Sequence, residues 1–225
     1  MRFARSLLLV SLVPLFSACQ MLGAGAPTPA STAGLNRMQG ELKGEGGRLL
    51  FLPCHEQRRF VVKDIGNTGL LQEAGALASK PGTLFADVRG SFTASNANSA
   101  DGQLNLQHLY RVERSASACD DPNFKPLILR ASGHSPNWSL RASGKGMILE
   151  RDGQAPLAVP YIEEQSGDGR LNLTTKANNQ RVELWVAPQR CVDPTTGSVQ
   201  SLSAELRVNG QVQRGCAYYG GARDD

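Results

Sequence analysis

The chain has 225 residues, 40% hydrophobic, 20% charged and only 6% aromatic, with 24 basic against 20 acidic residues. That length supports one or two modest cores. The near balance of charge, with neither sign gathered into a stripe, and the scarcity of aromatics exclude a nucleic-acid surface of the usual basic kind.

The chain opens with the short basic region Met1-Arg2-Phe3-Ala4-Arg5, followed by an apolar run over 6–16 that is too short to span a bilayer comfortably. This is the grammar of a signal peptide, here over 1–18. The run ends in Leu15-Phe16-Ser17-Ala18-Cys19, which resembles the lipobox of bacterial lipoproteins, although Phe16 stands where that pattern prefers leucine. The resemblance implies cleavage before Cys19 and lipidation of its thiol, the protein then meeting the membrane through acylated Cys19. The competing reading is an ordinary secretory signal cut near Ala18 or Ala24, with Cys19 incidental. Gln20, rather than aspartate, follows the cysteine; by resemblance to the sorting rule of enteric bacteria, this implies the outer membrane, with the body facing the periplasm. Each buried methylene contributes about 0.8 kcal/mol, so two or three acyl chains hold stably. Loss of Arg2 and Arg5 with the signal leaves 22 basic residues against 20 acidic, a formal charge of +2.

Residues 19–36 follow as the lipidated cysteine and a flexible tether, rich in Gly, Ala, Pro, Ser and Thr over 23–35. A first domain is expected over 37–121. Short β-rich runs at 41–43, 47–53 and 58–63 precede a helix over 69–79, capped from Asn67-Thr68, with Leu70, Leu71, Ala74 and Leu77 at helical spacing. Strands at 83–90 and 103–113 close the set, the loop between them carrying Asn96, Asn98 and Asp101-Gly102. A helix between the third and fourth of five strands is the layout of an OB-type barrel. A second β domain is expected over 125–221, with strands at 127–131, 138–142, 147–151, 157–161, 170–174, 182–187, 199–208 and 211–216, as a small antiparallel barrel or sandwich. Tyr218-Tyr219-Gly220-Gly221 and the charged residues after them read as a tail.

Lipidation of Cys19 leaves Cys54, Cys119, Cys191 and Cys216, an even set in an oxidising compartment, where disulfides are the default. Four cysteines allow three pairings; two compact domains favour Cys54 with Cys119 and Cys191 with Cys216. A metal site is the rival, but there is no Cys-x-x-Cys pair, and His55, His108 and His134 are scattered singly. His55 beside Cys54 is the one adjacent pair of soft ligands.

The strand Gly47-Arg48-Leu49-Leu50-Phe51-Leu52-Pro53-Cys54, the Arg58-Arg59-Phe60 strand, the leucine-rich helix and the run from Gly82 to Phe92, with its Val88-Arg89-Gly90, resemble the C-terminal OB-like domain of NlpE-type envelope lipoproteins. The likeness covers about a third of the chain. The lipocalin-like module of that family and its Cys-x-x-Cys are absent, so copper handling does not carry over. Further on, 133–140, Arg190-Cys191-Val192-Asp193 and Gly215-Cys216-Ala217 resemble marks of an uncharacterised family of periplasmic β-domain proteins, with some likeness to META and HslJ-like lipoproteins. Trp138, Cys191, Asp193 and Cys216 keep their places, whereas His134, Ser135 and Asn137 depart from the first mark.

Structural roles outweigh chemical ones for most of these residues. Trp138 and Trp185 read as core aromatics, Asp193 before Pro194 as an Asx-type turn, and His108 as a surface or barrel-rim histidine. His134 with Asp193 offers general acid-base chemistry in principle, with Ser132 or Ser135 as nucleophile, but no Gly-x-Ser-x-Gly motif supports it. The sequence therefore points to a non-enzymatic envelope lipoprotein, a binding or stress-sensing module without cofactor or metal, whose partner is an envelope protein or peptidoglycan and not nucleic acid. A structural lipoprotein linking membrane to cell wall is the alternative.

Overall fold

A computed structural model describes residues 34–94, 100–177 and 179–223. The signal peptide, Cys19, nearly all of the tether, and Asn96 and Asn98 lie outside the described residues.

The first elements are β1 (Asn36–Glu45), β2 (Arg48–Pro53), β3 (Phe60–Asp64), α1 (Leu70–Leu77), β4 (Leu84–Thr93) and β5 (Gly102–Arg114). Antiparallel pairing joins β1 to β2, β2 to β3, β1 to β4 and β4 to β5, while β3 and β5 run parallel. The strands thus close in the order 1-2-3-5-4-1 as the expected OB-type barrel. The opening strand is far longer than 41–43 because it is paired on both sides, along Asn36 to Leu42 with β4 and along Gly40 to Glu45 with β2. Leu42, Phe51, Phe60, Val62, Ala86, Val88, Leu104 and Leu106 fill the barrel, and α1 adds Leu70, Ala74 and Leu77 to the same core. Leu71, expected on the helix's buried face, is 49% exposed. The cap also differs: Gly69 takes the N-cap in the left-handed region, and the Asp64 carboxylate accepts from the backbone N–H groups of Thr68 and Gly69, each at 2.9 Å.

A second sheet contains β6 (Leu127–His134), β7 (Asn137–Ser143), β8 (Gly146–Arg151), β9 (Leu157–Val159), β10 (Ile162–Gln165), β11 (Leu171–Ala177) and β12 (Gln180–Ala187). After β13 (Cys191–Val192) and β14 (Val199–Gln200), β15 (Leu202–Val208) and β16 (Gln211–Tyr219) complete it. Its nine strands, in the order β10-β11-β12-β15-β16-β6-β7-β8-β9, are all antiparallel. The sheet curls around one core that includes Leu129, Trp138, Leu140, Leu149, Leu171, Leu184 and Leu206. Trp138 is a core aromatic as expected; Trp185 is not, being 42% exposed on the outer face beside the Arg207 guanidinium. Tyr218 and Tyr219 are buried strand residues rather than a tail, because β16 continues to pair with β6 through both.

The strand expected over 199–208 breaks at Ser201. Its first two residues pair with β5 of the barrel, Val199 opposite Val112 and Gln200 opposite Arg111, and β13 pairs with β14 in turn. Val199 belongs to the barrel core. Residues 191–200 therefore extend the first sheet although they lie deep in the stretch assigned to a separate second domain, so the two sheets do not divide at one point in the chain. The disulfides join Cys54 to Cys119 and Cys191 to Cys216, one of the three pairings open to the sequence and the one that two compact domains favoured.

Between the sheets lies a seam of arginine and aromatic side chains. A bulge in the β4–β5 ladder makes Tyr110 an extra residue between Leu109 and Arg111. Tyr110 and Arg111 are both buried, at 1% and 4% exposure, and neither belongs to the barrel core. Arg111 lies 4.1 Å over the ring of Tyr218 and 4.8 Å over that of Phe85. Arg37 lies 3.9 Å over Tyr110 and donates bidentately to the fully buried Asp87, at 2.9 and 2.8 Å. The same guanidinium donates to the backbone carbonyls of Tyr219 and Gly220.

Removing one member of a buried pair strands the other charge, at a cost of about 3–5 kcal/mol. Arg37→Ala should therefore destabilise the protein by about that much in urea unfolding, while Arg37→Met with Asp87→Leu recovers most of the loss. A loss under about 1 kcal/mol would mean the pair does not hold the seam.

Candidate functional site

A cleft of about 970 Å³ opens between the barrel and the outer face of the curled sheet. Alternation on β6 turns Arg130, Ser132 and His134 away from the sheet's own core, which takes Leu129 and Ala131. Ser139 lies opposite Ser132 and next to Glu150 across β7 and β8, and His134 faces Asn137 across the two-residue turn Ser135-Pro136, whose peptide bond is cis. These residues with Asp152 make the floor of the cleft, and Arg111, Glu113, Gln200 and the loop from Asp193 to Ser198 make its wall. The disulfide between Cys191 and Cys216 ties the start of that loop to β16.

The loop is built around the carboxylate of Asp193, 4% exposed. Its Oδ1 accepts from the backbone N–H groups of Thr195 and Thr196, each at 2.9 Å, so the expected Asx-type turn is present. Its Oδ2 lies 2.8 Å from His134 Nε2. Burial pushes this carboxyl up, but the Thr196 and Thr195 backbone donors, the His134 charge and the Thr196 hydroxyl together hold it below the ordinary range. From His134 the contacts continue: Nδ1 is 3.1 Å from Asn137 Oδ1, and Asn137 Nδ2 donates to Asp152 Oδ2 at 2.8 Å. Asn137 Oδ1 is thereby left as the acceptor for the ring.

This geometry bears on catalysis. Both nitrogens of His134 are engaged by oxygens, Asn137 on one side and Asp193 on the other, so neither is left to take a proton from a serine. Ser139 is committed to Glu150, donating at 2.9 Å. What the arrangement does instead is fix a row of oxygen and nitrogen atoms along the cleft.

Several lining groups have no partner. Nε and Nη2 of Arg111, Nε1 of Trp138 and Oε1 of Gln200 are buried without a hydrogen bond, although Arg111 Nη1 donates to Glu113 at 3.0 Å. Such orphans are uncommon in native structures and call for an unseen partner. Trp138, a core aromatic that also borders the cleft, packs its indole against Gly133 and Gly215, where any Cβ would fall within 3 Å of the ring. Arg130 has no hydrogen-bond or ion-pair partner among the described residues. Burial pushes the Tyr218 phenol up, against the opposing pull of Arg111 and Arg130.

The other candidates lie elsewhere. His55 is exposed, with Nε2 3.1 Å from the Cys119 carbonyl oxygen, and its neighbour Cys54 is bound in a disulfide. Among the described residues, no three His, Cys, Asp or Glu side chains gather as a metal-holding group. His108 packs edge-on against Tyr110 at 4.6 Å beside a smaller hollow. Sequence reasoning singled out His134, Asp193 and Trp138 but missed Arg111, Arg130, Glu150, Asp152 and Gln200, whose signal is only the alternation of their strands. Comparison with known proteins found no matching family model, no similar curated protein and no similar solved structure.

The lowered Asp193 carboxyl gives a sign for acid unfolding. A depressed native value means stability that is present above the ordinary aspartate value of about 3.9 and lost as pH falls through the native one. Asp193→Asn should be less stable at neutral pH and lose less of its stability than wild type on titration from pH 5 towards 2, followed by circular dichroism. Parallel pH profiles would remove the carboxylate's role in the loop.

Proposed function

We propose that this protein is a non-enzymatic, lipid-anchored binding module of the bacterial envelope, and that the cleft between its two sheets takes a small polar ligand. The observation that carries this reading is the set of buried, unpartnered groups on Arg111, Trp138 and Gln200, all lining one cavity. Its volume lies within the range of small-molecule sites, while its polar lining departs from their usual apolar character and selects a ligand rich in hydrogen-bonding groups. The engaged nitrogens of His134 favour holding over turnover.

The anchor is the acylated Cys19 of the lipobox-like segment, which places the cleft in the periplasm on the outer membrane, within reach of wall components. Wild type should partition with membranes and incorporate labelled palmitate, and Cys19→Ser should do neither. Palmitate labelling that survives Cys19→Ser would refute the anchor.

For the cleft, the probe is a mixture of soluble wall fragments released by muramidase. The fragments should raise the thermal midpoint of the wild-type protein, and Ser132→Arg, which fills the floor, should abolish the shift without lowering the unliganded midpoint by more than a few degrees. A shift of equal size in Ser132→Arg would move binding out of the cleft.

A further inference from the structure

The charges in the cleft are mixed and laid out in order. Arg111, Arg114, Arg130 and Arg151 line the same cavity as Glu113, Glu150, Asp152 and Asp193. A simple polyanion would meet the four carboxylates, and an apolar ligand would leave the orphaned polar atoms of Arg111, Trp138 and Gln200 without partners. The fitting ligand presents hydroxyls, which donate to carboxylates and accept from N–H groups at once, together with one acid group.

The positions of the two kinds of recognition follow from β6. Arg130 and His134 lie four residues apart on one face of an extended strand, about 13 Å at the usual rise. At the Arg130 end, an unpartnered guanidinium stands beside Tyr218 and Arg111, whose Nε and Nη2 also lack acceptors. The planar fork of an arginine suits a carboxylate. Towards the His134 end, Asn137, Asp152 and Asp193 are held in fixed orientations by one another, and Trp138 adds a buried indole N–H. Arg114 is already committed to the carbonyls of Leu77 and Thr196, Arg151 to Gln180 and one arm of Arg111 to Glu113, so Arg130, with the two free Arg111 donors beside it, is left to receive an acid.

We infer that the ligand is a carboxylated saccharide of one or two rings, its acid group bound by Arg130 and its hydroxyls by the polar row from Asp152 to Asp193. The inference rests on the cleft being a ligand site, as proposed above, and adds the chemical class and the direction in which the ligand lies. The acid points towards Tyr218 and the sugar hydroxyls towards the His134 hairpin.

The test uses the detergent-solubilised full-length chain and two probes, N-acetylmuramic acid and N-acetylglucosamine, which differ by the lactyl group and its carboxylate. Dissociation constants are read by ligand-observed NMR at millimolar concentrations, with the zwitterion alanyl-alanine as a third probe. The acid sugar should bind at least tenfold tighter than the neutral one, and Arg130→Gln should bring the two within twofold while leaving the thermal midpoint unchanged. Equal binding of both sugars by wild type, or a preference that survives Arg130→Gln, would overturn the assigned acid site while the cleft itself still binds. Binding of alanyl-alanine in preference to both sugars would overturn the saccharide class. Should none of the three bind while the wall-fragment mixture still shifts the midpoint, this inference fails alone; if the mixture also fails, the reading of the cleft fails with it.

Discussion

The arrangement of the two sheets depends on one part-buried arginine that bonds to both. Arg37 satisfies Asp87 on the barrel and, with the same guanidinium, the last carbonyls of β16 on the curled sheet. Taking a carboxylate out of water is costly unless its partner and geometry are nearly ideal. Asp87 therefore relies mainly on Arg37, with the Gln39 amide as a weaker second donor at 3.3 Å. Tyr110 and Phe124 rings lie beneath and beside this guanidinium, and Phe85 and Tyr218 sandwich the next one along, on Arg111. Planar cations on ring faces keep the seam closed without a conventional aliphatic core.

From that seam follows the position of the cleft. Where arginine and aromatic side chains fill the gap, the sheets touch; beyond Tyr218 and Arg111, the filling stops and the space opens between Arg130 and the loop of Asp193. The excursion of residues 191–200 onto the barrel carries that loop across the gap, and the bond between Cys191 and Cys216 holds its base on β16. One loop thus belongs to both walls of the site. Its Asp193 meets a histidine from the opposite sheet.

The barrel was legible in the sequence because each of its strands keeps an apolar face and its helix keeps Leu70, Ala74 and Leu77 at one spacing. The second sheet was legible strand by strand for the same reason, except at β10, which buries none of its four residues. The seam was not legible. Asp87, Arg111 and Arg37 sit at positions that alternation assigns to solvent, and nothing local records that another sheet covers them. Trp185 misled in the opposite sense, since size and aromaticity pointed inward while its place in the alternation, between Leu184 and Val186, pointed out. Of the candidate site, the residues with distinctive chemistry were visible as individuals, His134 and Asp193 even as a pair. Their meeting place was not, because it arises from a crossing between sheets whose partners are some 60 residues apart in the chain.

Arg37 and the carbonyls it receives are separated by 182 and 183 residues. So distant a contact carries a large loop-closure entropy. A barrel that has closed ahead of the curled sheet shows Asp87, Arg111 and the edges of Phe85 and Tyr110 on the uncovered side. Water accepts such a surface far better than a row of leucines. The charged seam adds little over an apolar one in the finished molecule, but it leaves the half-assembled chain with little there for another chain to stick to.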